Sequence, residues 1–157
     1  MSSQACDVAV VGCGPVGSAL ATLLGRRGHH VVVFERHPQP YVLPRAVHFD
    51  HEVARVLQSC GLGAELPSIS EPGTEYEWRS ASGQVLLRFG GLPVGPSGWP
   101  DANMFWQPDL ERLLEQVATG LPSVEVRRGA RLVDLDDHGR GVTLTVEQAG
   151  APTPTQV

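Results

Sequence analysis

Residues 7–36, DVAVVGCGPVGSALATLLGRRGHHVVVFER, decide the fold. The run CDVAVV at 6–11 is apolar without clean alternation, as in a strand buried on both faces. GCGPVG follows at 12–17. SALATLLGRRG then reads as a helix, with Ala21 and Leu24 on one face and Gly28 ending it. HVVVFE at 30–35 is a second apolar run, closed by an acid. Strand, glycine turn, helix and strand make a βαβ unit, whose strands run parallel with a right-handed crossover.

Each glycine of the turn has a physical task. Gly12 permits the tight turn, Gly14 lets the backbone approach a pyrophosphate, and Gly17 lets the helix pack on the strand. The helix N-terminus offers free N–H groups and the positive end of a dipole to phosphate oxygens. Glu35 lies 23 positions past Gly12, near the ~20-residue spacing of an acid that binds a ribose 2′-hydroxyl. A carboxylate there repels a 2′-phosphate, so the nucleotide is FAD or NAD rather than NADP. A glycine turn without any ligand is the alternative, and the complete strand–turn–helix–strand context argues against it.

Outward from this unit, a Pro-rich loop spans 36–46. Asp50 can cap a helix over 51–60 that carries Val53, Val56 and Leu57 and ends at Gly61. Residues 75–79 and 84–89 read as strands around the SASG turn, and 90–102 as a Gly/Pro-rich loop. Pro108 suits the first turn of a helix bearing Leu110, Leu113, Leu114 and Val117 and ending near Gly120. Residues 124–128 form a short strand, and 131–137 and 142–148 a hairpin around HGRG. The chain divides into 1–72, 73–102 and 103–157.

At 157 residues the chain counts as one domain and is long enough for a real core. All 12 basic residues are arginine, which removes Schiff-base, pyridoxal-phosphate and P-loop lysine chemistry. A net charge of −5 with scattered arginines argues against nucleic acid. No apolar stretch is long enough for a membrane span, and the start, MSSQACD, lacks the basic region of a secretion signal. Cys6, Cys13 and Cys60 show neither disulfide nor metal spacing, so the expected compartment is a reducing cytoplasm. His48 and His51 belong to a loop-to-helix entry rather than a metal site, and His29 and His30 point to different faces. Cys13 is a small filler rather than a nucleophile, and Trp78, Trp99 and Trp106 read as core aromatics before pocket lining.

The block at 7–36, PRAVHFDHEVARVLQSCGL at 44–62 and FWQPDLERLL at 105–114 together resemble the N-terminal part of the FAD-dependent aromatic hydroxylases. These are single-component flavoprotein monooxygenases, and the resemblance is strongest to the 3-(3-hydroxyphenyl)propionate hydroxylase type and the related polyketide hydroxylases. The resemblance implies an α/β fold: a Rossmann-like βαβ FAD-binding domain with a β-meander. It implies that 73–102 begins a substrate-domain sheet and that 103–157 returns to the FAD-binding domain. By position, Gly12, Gly14, Pro15, Val16 and Gly17 would cradle the FAD pyrophosphate, and Glu35 would hold the adenosine ribose. Arg36 would lie along the adenine, and Leu132 would meet that ring through its backbone. Arg45 and Gln107 would contact the phosphate and ribityl region. Arg45 is a fixed cation suited to phosphate oxygens; its alternative is a surface loop arginine. For Gln107 the alternative is a helix cap.

The resemblance also implies NADH or NADPH as co-substrate, O2 as oxidant and a small aromatic substrate; from the residue spacing, no metal is expected. A homo-oligomer is left open. No residue reads as a catalytic acid, base or nucleophile. Family members run to several hundred residues, and their later flavin motifs do not occur here. The expectation is an N-terminal fragment, inactive alone, whose meander is cut after Thr155–Val157 opens its third strand. Two other readings stay open: an NAD-dependent Rossmann oxidoreductase, and a non-catalytic FAD-binding module.

Overall fold

The structure, a computed structural model, describes residues 5–148 and the backbone of residues 155 and 156. The βαβ unit forms as β1 (Val8–Val11), α1 (Pro15–Gly25) and β2 (Val31–Glu35). The chain continues through β3 (His48–Asp50), α2 (His51–Leu57), α3 (Leu66–Ile69), β4 (Ser70–Pro72), β5 (Glu75–Arg79), β6 (Val85–Gly90) and β7 (Ala102–Phe105). Then come α4 (Gln107–Thr119), β8 (Val124–Arg128), β9 (Ala130–Asp137), β10 (Val142–Gln148) and β11 (Thr155–Gln156). Two compact units result: residues 1–42 with 111–157, and residues 43–110.

The first unit is built on β2. It lies between β1 and β8 in a three-stranded sheet and pairs with both in parallel. Val31, Val32, Val33 and Phe34 are all at most 1% exposed. The strand's period of two sends them into different cores. Val31 and Val33 pack with Val10, Ala21, Ala118 and Val124. Val32 and Phe34 pack with Ala130, Leu144 and Val146 of the meander. An unbroken apolar run is therefore what this strand requires. The meander is the antiparallel sheet β9–β10–β11, with a register shift between Thr145 and Val146.

In the second unit, Asp50 caps α2 as expected, its Oδ1 accepting from the Val53 N–H at 2.8 Å. The helix runs on into a wider turn at Gln58–Leu62 and breaks at Gly61, where φ is +103°. The small antiparallel sheet β3–β7–β4 has no counterpart in the sequence reading. Its strands are three or four residues long, too short to display alternation. Buried Asn103 on the central strand β7 donates through Nδ2 to Pro100 O at 2.9 Å and Phe49 O at 3.4 Å. Phe49 and Phe105 pack with ring centres 5.0 Å apart.

The antiparallel hairpin β5–β6 exposes every residue of β6. Tyr76 and Phe89 stack across it with centroids 5.0 Å apart. The tryptophans depart from the core expectation. Trp78 and Trp106 are 56% and 50% exposed. Trp78 sits on the two-stranded hairpin, nearly all of whose residues are exposed. Trp99 is partly buried, and its Nε1–H donates to Gln58 Oε1 at 2.9 Å.

The C-terminal end of α1 tests the packing of the first unit. A methyl group on Gly25 would lie 2.4 Å from Val124 Cγ2 and 3.1 Å from Ser123 Oγ, whose hydroxyl donates to Gly25 O at 2.9 Å. Alanine normally gains about 1 kcal/mol over glycine within a helix, but overpacking costs about 1–3 kcal/mol. Gly25→Ala is expected to be net destabilising, read as a lower urea midpoint at unchanged m-value.

Candidate nucleotide site

The site of the first unit begins where β1 ends. Gly12 takes φ +103°, a conformation that costs glycine little and a residue with a Cβ much more. Its N–H donates to Phe34 O at 2.8 Å, and the next N–H, of Cys13, donates to Glu35 Oε2 at 2.9 Å. Two consecutive amides thus fasten the loop to the end of β2. Gly14 caps α1 with extended backbone, and its carbonyl accepts from the Ser18 N–H at 2.9 Å. No side chain caps this helix, and its first turn holds no acid. Pro15 at the first turn forfeits no donor, because that N–H has no partner within a helix.

The glycines divide the work by space. A Cβ on Gly17 would lie 2.0 Å from Gly12 O, so the helix seats directly on the loop backbone. A Cβ on Gly14 would meet nothing within 4 Å, which leaves room for a ligand atom at the backbone. Val16 is 83% exposed beside it. An uncapped helix start, fixed in place and open in front, suits a phosphate group. The residues present fit a dinucleotide on this ground.

Glu35 is the electrostatic centre. Burial alone would raise its pKa, but N–H donation from Cys13 and His37, with the nearby His37 and Arg128, outweighs burial and holds it below the usual carboxylate range. His37 N donates to Oε1 at 2.8 Å, and a carboxylate keeps acceptor capacity beyond two bonds. Arg36 is exposed and bonds through Nε to His37 Nε2 at 3.1 Å. Leu132, on β9, is partly buried against the Val32–Phe34 cluster.

Arg128 and Glu115 were not singled out from the sequence. Arg128 lies opposite Glu35 in the β2–β8 register. It forms a two-point ion pair with Glu115, Nε to Oε1 and Nη2 to Oε2, both at 2.8 Å. Nη2 also lies 3.8 Å from Cys13 Sγ. The hydrogen bond to Glu115 raises the Arg128 pKa further, against burial. The sequence signal was the strand VEVRR, and its value appears only once β8 is known to lie beside β2. Cys13 is buried, which raises its thiol pKa despite Ser18 and Arg128, so the filler reading agrees with its surroundings.

In the second unit, Gln107 is buried and Arg45 is exposed. The Gln107 side chain bonds the backbone of Arg45 and Ala46. His51 Nδ1 lies 2.9 Å from Ser97 Oγ. Among the described residues no cluster of three His, Cys, Asp or Glu side chains could hold a metal ion, and no helix is long and apolar enough to cross a membrane.

A family profile described as FAD binding domain matches residues 5–156. A probable NADH-specific resorcinol 4-hydroxylase of Rhodococcus jostii (strain RHA1) is 42% identical over 135 residues, covering 86% of this chain and 26% of that protein. A 3-(3-hydroxy-phenyl)propionate/3-hydroxycinnamic acid hydroxylase of Burkholderia cenocepacia (strain HI2424) is 36% identical over 147 residues, 91% of this chain and 26% of that one. This chain therefore spans about a quarter of these curated relatives. Among solved structures, aklavinone-11 hydroxylase in a ternary complex with FAD and aklavinone superposes with a TM-score of 0.78. It is 27% identical, and the match covers 100% of this chain and 32% of that one. A p-nitrophenol 4-monooxygenase from Pseudomonas putida DLL-E4 shares the fold, with TM-score 0.87, 24% identity, and coverage of 99% of this chain and 40% of that one.

Two measurements test the site. Because the folded pKa of Glu35 is lowered, its contribution to stability is complete above the ordinary carboxylate value of about 4.3. That contribution fades as pH falls through the lowered value. The stability difference between wild type and Glu35→Gln should shrink on acidification across that window. For the ion pair, Arg128→Gln alone leaves a partly buried Glu115 carboxylate without its two-point partner, at a cost of about 1–3 kcal/mol. Adding Glu115→Gln should recover part of that loss in urea denaturation, giving a coupling of about 0.5–3 kcal/mol.

Proposed function

Since the chain belongs to the FAD binding domain family, we propose that it holds the ADP half of FAD through the loop and helix start at Gly12–Gly17, with Glu35 on the adenosine ribose. The observation that carries this reading is the pairing of an uncapped α1 N-terminus with an ionised Glu35 fastened to the same loop at Cys13. The helix start supplies N–H donors for phosphate oxygens, and Gly14 supplies the open approach. Glu35 accepts from ribose hydroxyls and disfavours a 2′-phosphate by repulsion. Arg36 lies along the adenine, and Leu132 meets the ring through its backbone. Arg45 adds a permanent cation for phosphate, in a chain with no lysine to do so. Gln107 holds the backbone that carries Arg45.

The proposed activity of the whole protein is hydroxylation of a phenolic ring with NADH or NADPH and O2. Its support is the pair of relatives named for resorcinol and 3-hydroxyphenyl substrates. Bound FAD would supply the oxygen-activating redox chemistry. This chain's residues bind and orient the nucleotide end of the cofactor, and none of them is assigned a proton transfer.

Purified full-length protein should be yellow, release FAD on denaturation, and oxidise NADH faster when a phenol such as resorcinol is added. A colourless protein that binds NAD tightly and takes up no FAD would favour the dehydrogenase reading instead. Arg45→Ala should weaken FAD binding about 10–100-fold, the loss of one or two charge-assisted bonds, measured by flavin fluorescence quenching on the apoprotein.

A further inference from the structure

Gln107 is 5% exposed at the first position of α4. Its Oε1 accepts from two consecutive backbone amides, Arg45 N at 2.7 Å and Ala46 N at 2.8 Å, more than sixty positions earlier in the chain. A carbonyl oxygen has two lone pairs, which matches two donors. The placement follows from the small sheet. β3 and β7 pair from His48 opposite Met104 to Asp50 opposite Ala102. One further ladder bond runs from Phe105 N to Val47 O at 2.9 Å. Beyond it the backbone of residue 107 turns into the helix, and the Gln107 side chain takes the place of the next strand residue by accepting from Ala46 and Arg45.

Residues 39–43 are exposed, and Pro38, Pro40 and Pro44 offer no N–H. Both bonds accepted by Gln107 Oε1 come from main-chain amides, so they constrain the backbone torsions at Arg45 and thereby the direction in which its guanidinium leaves the chain.

We propose that Gln107 is a positioning residue: its carboxamide oxygen sets the backbone of Arg45 and Ala46, and it serves the cofactor by presenting Arg45 to a phosphate. This rests on the reading of Arg45 given above. It differs from a direct cofactor contact in a way that the apoprotein can report. An acceptor role needs only an oxygen at that position, whereas a donor role needs the amide NH2.

Three variants of the full-length protein separate the two: Gln107→Met, which removes the acceptor at similar volume; Gln107→Glu, which keeps acceptor oxygens and removes the NH2; and Arg45→Ala. Two readouts need no cofactor: amide hydrogen exchange of the peptide covering 43–47, and the rate of tryptic cleavage at the Arg45–Ala46 bond. Gln107→Met should raise both at least tenfold, and Gln107→Glu should stay within about threefold of wild type. FAD titration should show Gln107→Met and Arg45→Ala losing similar factors, with the double variant no weaker than Arg45→Ala alone.

Unchanged exchange and cleavage in folded Gln107→Met would overturn the proposal. So would a Gln107→Glu loop as open as that of Gln107→Met, or losses of FAD affinity that multiply in the double variant. If Gln107→Met does not fold, the exchange and cleavage of Gln107→Glu decide alone: protection supports the clamp, and its loss overturns it. Wild-type protein that binds no FAD would sink the FAD reading, and with it the phosphate-presenting half of the proposal. The apoprotein readouts would still decide whether the clamp exists.

Discussion

The burial of β2 on both faces is the constraint from which the first unit follows. Four consecutive apolar side chains have to be covered, two by the layer containing Ala21 and Ala118 and two by the meander. Once they are, the strand can end at only one place, and Glu35 emerges there beside the loop that ends β1. The Cys13 N–H meets a carboxylate already delivered by the core. Packing thus sets the position of the charge, and the backbone amides then keep it ionised. The support of the site is a strand buried through Phe34 rather than a surface loop.

Much of this was legible in the sequence because several independent signals fall within residues 7–36. The apolar runs, the glycine spacing and the terminal acid each have a separate physical reason, and all point to one βαβ unit. The cap at Asp50 and the hairpin around HGRG were legible for the same reason, since local chemistry decides them. The strands β3, β4 and β7 were not. Each is only three or four residues long, and their pairing is fixed by contacts distant in sequence. Arg128 escaped notice because its neighbour is Glu35 only after β8 docks on β2, 93 positions later at Val31 and Val124. The tryptophans misled because residue type suggests burial, whereas Trp78 lies on a hairpin nearly all of whose residues are exposed.

Charge in this chain is organised without lysine. Arginine forms planar, two-point contacts, and the Glu115–Arg128 pair uses that geometry. Arg127 places its guanidinium carbon over the Phe34 ring, 5.5 Å from the ring centre, and pairs with Glu125. Adjacent arginines on one strand therefore serve two surroundings, one over a core ring and one reaching toward the glycine loop. An ammonium group at Arg128 would lose the planar two-point geometry.

The first unit is discontinuous, with residues 43–110 intervening between its two parts. This has a consequence for how the chain is made. During synthesis at about 5–20 residues per second, β8 emerges roughly 5–20 seconds after β2. Closing a loop of 93 residues to join them costs about 4 kcal/mol in chain entropy. For that interval Val31–Phe34 is an apolar strand with one edge and one face uncovered, the kind of segment that recruits another chain. The exposure ends only when β8 and the meander arrive to cover the strand's second edge and face.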